Sequence, residues 1–133
     1  MSDLKRVLIV EDDADYRRML LNSLYMDYEV VEAENGEQAM EKILVHEPHA
    51  VILDLLLPKV DGFEVLKRIR EYPEPKVAGL PVLILSNLSS NKDFLAAQNL
   101  HADAYYVKSN TSIDEFKHKL GEMVLLKYPP QAV

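Results

Sequence analysis

The chain of 133 residues has no cysteine, which excludes a disulfide framework and a thiolate metal site. Its four glycines, Gly36, Gly62, Gly79 and Gly121, form no phosphate-cradling loop, so a nucleotide-binding protein is disfavoured. Long apolar runs are missing too. The longest, residues 50–57, is interrupted by Asp54 and falls far short of the roughly twenty residues that a membrane helix needs. No secretory signal opens the chain, so the expectation is a cytoplasmic protein. Basic residues are outnumbered, 15 against 22 acidic, and the formal net charge of -7 argues against a broad basic surface for nucleic acid.

What is present fits one soluble globular domain over residues 1–133, with a core at about 5–127 and a short tail at 128–133. A chain of this size buries roughly two-thirds of its unfolded surface, so it should fold without staples. Four short aliphatic runs, at 7–10, 51–53, 82–85 and 104–107, suit strands covered on both faces. A more polar run at 28–33 reads as an edge strand. Between them the apolar residues recur at helical spacing, as in Leu20 and Leu24, Ala39 and Ile43, or Phe63, Leu66 and Ile69. Pro73 and Pro75 predict a loop after the third helix, and a fourth is expected at 91–100. The last carries Ile113, Phe116, Leu120 and Val124 and stops before Pro129 and Pro130. Five strand–helix units with right-handed crossovers give an α/β three-layer sandwich around a parallel sheet.

Charge interrupts this pattern at strand ends. Glu11 and Asp12 follow the first run and Asp54 the third, on the edge where doubly wound sheets bind ligands. If those strands are neighbours, the carboxylates converge. Two of them about 4 Å apart repel by about 4 kcal/mol at an effective dielectric near 20, so a hard cation such as Mg²⁺ is the natural compensation. Taken singly, each acid is better explained as a turn former or helix cap, as we expect of Asp13 and of Asp61 before Gly62. Ser86 and Lys108 at the ends of the fourth and fifth runs make four strand ends polar together.

That ordered set resembles response-regulator receiver domains, across nearly the whole chain. Glu11-Asp12 is similar to the family's acidic pair, and Asp54-Leu55-Leu56-Leu57-Pro58 with Asp61-Gly62 to its phosphoacceptor segment. Ser86 matches the switch hydroxyl, Lys108 the lysine and Tyr105 the aromatic switch position. The resemblance implies a flavodoxin-like doubly wound (βα)5 fold with strand order 2-1-3-4-5. It also implies phosphoryl transfer to Asp54 from a sensor histidine kinase or phosphotransfer protein. Mg²⁺ would be held by Asp12, Asp54 and the Leu56 carbonyl, with Glu11 acting mainly through water. Lys108 and Ser86 would bind the phosphoryl oxygens, and Leu56 and Leu88 would shield it from water. Tyr105 would then alter the surface of the fourth helix, fifth strand and fifth helix, read by a downstream target or a second copy. Such a chain is a phosphoacceptor that phosphorylates and dephosphorylates itself, not an enzyme with external turnover.

Three positions depart from the family pattern. Ser109 stands where proline is usual, Asn87 where a small residue is, and His101 where glycine often is. Ser109 and Asn87 leave a degenerate receiver, docking without phosphate, as the alternative. An aspartyl-phosphate hydrolase is disfavoured because its second aspartate would fall at Leu56. The four histidines read as surface or loop residues, and Met19, Met26, Met40 and Met123 as core or boundary fillers.

Overall fold

A computed structural model describes residues 4–130. Its strands are β1 (Arg6–Val10), β2 (Glu29–Ala33), β3 (Ala50–Leu53), β4 (Val82–Ser86) and β5 (Ala104–Val107). The helices between and after them are α1 (Ala14–Leu24), α2 (Gly36–His46), α3 (Gly62–Arg70), α4 (Asn91–Asn99) and α5 (Ile113–Lys127). All strand pairs are parallel, in the order β2-β1-β3-β4-β5.

The strand period of two divides the core. Leu8, Val10, Val51, Leu53, Val82 and Ile84 face a layer that includes Ala39, Ile43, Val65, Leu66 and Ile69, from α2 and α3. Their sequence neighbours Val7, Ile9, Ile52, Leu83 and Leu85 face Leu20 and Leu24 of α1 and Phe116, Leu120 and Val124 of α5. Burial of each large aliphatic side chain contributes roughly 1.5–3 kcal/mol. The three central strands are therefore apolar on both faces, as expected. β5 is not: all four of its residues are only half-buried, because it forms the edge opposite β2.

Caps fix where the helices begin. The Asp13 carboxylate accepts from the N–H groups of Asp15 and Tyr16, Asp61 from Glu64, and Ser90 forms a reciprocal capping box with Asp93. Pro75 does not sustain the expected loop. It opens a single helical turn, Pro75–Ala78, because proline is well suited to the first helical position, and Val77 is thereby buried. His101 takes φ 63°, the left-handed conformation that glycine would occupy more comfortably.

One other expectation needs correction. Met26 is 72% exposed just past α1 and fills no core gap. His49 lies in the loop before β3, as expected of the histidines, but half-buried, its Nδ1 accepting from the Arg6 N–H at 2.9 Å, and burial lowers its pKa from the ordinary imidazole value.

Candidate functional site

β1 and β3 are neighbours with Val10 opposite Leu53, so the residues that follow them emerge side by side. The Asp54 N–H donates to the Val10 carbonyl at 3.0 Å and the Glu11 N–H to the Ala33 carbonyl at 3.0 Å, which extends the ladder past the strand ends. One carboxylate oxygen each from Glu11, Asp12 and Asp54 then lies within 4.8 Å of the others. Glu11 and Asp54 are buried, whereas Asp12 is exposed. Lys108, immediately after β5, reaches across the sheet end. Its Nζ donates to Glu11 Oε1 at 2.5 Å and to Asp54 Oδ2 at 2.9 Å.

The remaining polar capacity of the cluster is partly met by backbone. Asp54 Oδ1 accepts from the Leu56 N–H at 3.1 Å, and Glu11 Oε2 accepts from the Asp13 N–H at 3.0 Å. Burial, with repulsion from Asp54 adding to it, raises the Glu11 carboxyl to about 7 despite the lowering effect of Lys108 and the Asp13 N–H. Burial alone would lower the Lys108 pKa, but its bonds to Glu11 and Asp54 outweigh that and raise it. Three carboxylates thus face one ammonium. Three hard oxygen donors with surplus negative charge fit a divalent cation of the Mg²⁺ type.

The structure brings the other expected residues to the same edge. Ser86 ends β4 fully buried, with the Leu88 N–H 3.4 Å from its hydroxyl oxygen. Tyr105 is half-buried; its hydroxyl donates to the Leu88 carbonyl at 2.7 Å and its ring meets Phe94 edge-on with centroids 4.6 Å apart. Burial pushes its phenol up to about 12. The loop after β4 is thereby tied to both Ser86 and Tyr105. Leu56 is 55% exposed and Leu88 half-buried. Ser109 lies exposed within a 3-10 turn, Lys108–Asn110, and Thr111 secures that turn by donating to the Val107 carbonyl at 2.9 Å.

Two residues of α1 escaped the sequence reading. Arg17 donates to the Glu11 carbonyl at 2.7 Å and pairs with Glu32 of β2 and with Glu34. Tyr16 places its ring over the Lys108 ammonium. No spacing signals either one, since their partners lie on other elements.

The chain belongs to the response regulator receiver domain family, whose profile matches residues 7–120. It is 36% identical over 105 residues to the protein named probable transcriptional regulator ycf27 of Cyanophora paradoxa, covering 78% of this chain and 42% of that one. It spans about two-fifths of the length of the several ycf27 relatives it matches. Among solved structures, a CheY-like receiver domain protein from Methanospirillum hungatei superposes with a TM-score of 0.83 at 25% identity, over 92% of this chain and 94% of that one. The Mn(2+)-bound form of response regulator Rcp1 gives 0.76 at 29% identity, over 97% and 99%. No helix among the described residues is long and apolar enough to cross a membrane.

Proposed function

We propose that Asp54 accepts a phosphoryl group from a phosphohistidine on a sensor kinase or phosphotransfer protein, and that the chain signals in this way in the cytoplasm. The observation that carries this reading is the convergence of Glu11, Asp12 and Asp54 around one point, with Lys108 bonded to two of them. An Asp54 carboxylate oxygen forms the new O–P bond as the N–P bond of the donor breaks. The imidazole nitrogen keeps the bonding pair and takes up a proton. The product is an acyl phosphate. Mg²⁺, held by Asp12, Asp54 and the Leu56 carbonyl with Glu11 acting mainly through water, would neutralise charge on the transferring group. Lys108 exchanges its Asp54 contact for a phosphoryl oxygen. Ser86 donates to another and draws in the loop that Tyr105 already holds through Leu88. Positioning and charge, rather than a covalent device, carry the step.

The resulting change at α4, β5 and α5 is what a downstream protein or a second copy reads. The chain acts as a stoichiometric acceptor that also takes phosphate from small donors and hydrolyses its own acyl phosphate. Leu56 and Leu88 slow that hydrolysis, so replacing both with polar residues should shorten the lifetime of the phosphorylated form. An unchanged decay rate would remove this role.

Intact-mass measurement after incubation with acetyl phosphate tests the reading. One adduct that requires Mg²⁺ and is absent from Asp54→Ala is expected. A folded wild-type chain that takes up nothing would favour the phosphate-independent docking module. Since a bound cation displaces the proton from Glu11, Mg²⁺ affinity should rise with pH up to about 7 and level off above it. Titration calorimetry showing a flat profile through that value would contradict the assignment of Glu11.

A further inference from the structure

An ammonium has three N–H donors, and on Lys108 two point at carboxylates. What meets the cation beyond them is the ring of Tyr16, with its centroid 4.3 Å from Nζ, inside the roughly 6 Å reach of a cation–π contact. The Lys108 side chain is only 11% exposed, and such contacts are strongest when shielded from water. The ring packs against the core on one side and is open on another. Tyr16 borders a cavity of about 130 Å³ between α1 and α5, lined also by Met19, Leu85, Ile113 and Phe116. Its hydroxyl makes no hydrogen bond among the described residues, so the π face is what the side chain contributes.

We propose that Tyr16 is a positioning residue for Lys108, its ring face holding the ammonium at the sheet end throughout phosphoryl transfer; this rests on the phosphoacceptor reading above. When the group arrives on Asp54, Lys108 must leave Oδ2 for a phosphoryl oxygen. A hydrogen-bond acceptor in place of the ring would compete with that oxygen. A π face attracts the cation without fixing its direction, so Nζ can shift while staying screened from water.

The test compares Tyr16→Phe, which keeps the ring, with Tyr16→Leu, which keeps apolar bulk alone. Without any phosphate, proton NMR should show the Lys108 ε-methylene shifted upfield by the ring in wild type and Tyr16→Phe, and not in Tyr16→Leu. With acetyl phosphate and Mg²⁺, Tyr16→Phe should react within about twofold of wild type and Tyr16→Leu about tenfold more slowly. Should Tyr16→Leu fail to fold, fluorinated phenylalanines at position 16 keep the shape while weakening the π face, and the rate should fall with each added fluorine. A wild-type rate in Tyr16→Leu, a flat fluorine series, or no upfield shift in wild type would each overturn the proposal. If wild type itself takes up no phosphate, the phosphoacceptor reading fails, and the methylene shift still decides where Tyr16 holds Lys108.

Discussion

Replacing Lys108 with methionine should destabilise the domain by about 3 kcal/mol near pH 8 in the absence of a divalent cation. The methionine keeps most of the stem's bulk, so the loss is electrostatic. Glu11 and Asp54, with side chains 3% and 6% exposed, would face each other without a counter-charge. The effect should shrink in acid. The Glu11 carboxyl is already raised to about 7, and removing Lys108 takes away an interaction that lowers it. A raised carboxyl stabilises the fold fully below its ordinary value of 4.5 and loses that contribution as pH rises through the folded value. At pH 5 the variant's Glu11 is therefore protonated and the repulsion is largely relieved. Urea unfolding at both pH values measures this, and adding Glu11→Gln to Lys108→Met should restore much of the loss near pH 8. Equal losses at the two pH values would show that packing, not charge, is what Lys108 provides.

Gly62→Ala should cost about 3 kcal/mol and disable the site as well, because overpacking here meets backbone and not a flexible side chain. A Cβ on Gly62 would stand 2.4 Å from the Asp54 carbonyl oxygen and 2.5 Å from Leu55 Cα. The start of α3 and the segment after β3 are already joined by the Gly62 N–H donating to the Leu55 carbonyl at 3.0 Å. Any shift of the segment after β3 works against the bond from the Asp54 N–H to the Val10 carbonyl. The segment carrying Asp54 must therefore move, and acetyl phosphate labelling should fall with stability. A variant unfolding at the wild-type urea midpoint would contradict this account of the loop.

Much of this arrangement was legible in the residues themselves. Aliphatic runs broken by acids mark β1 and β3, and the carboxylates at those two strand ends are the ones that cluster. The caps at Asp13 and Asp61 were equally readable, because a cap acts within three residues of itself. Tyr16 and Arg17 were not, because what they touch is set by tertiary packing. The ring of Tyr16 meets a lysine from the far end of the sheet, and Arg17 needs β2 alongside β1 to find Glu32. Pro75 misled for a related reason: proline breaks a helix interior but suits its first position, and only the burial of Val77 decides between the two.

The most direct test of the central claim is to find which residue carries the phosphoryl group. Wild-type chain is phosphorylated by acetyl phosphate with Mg²⁺, reduced with borohydride, which converts an aspartyl phosphate to homoserine, and digested for peptide mass mapping. The account predicts homoserine at position 54 and aspartate unchanged at position 12. Homoserine at another aspartate, or none anywhere in a folded and Mg²⁺-loaded chain, would contradict it.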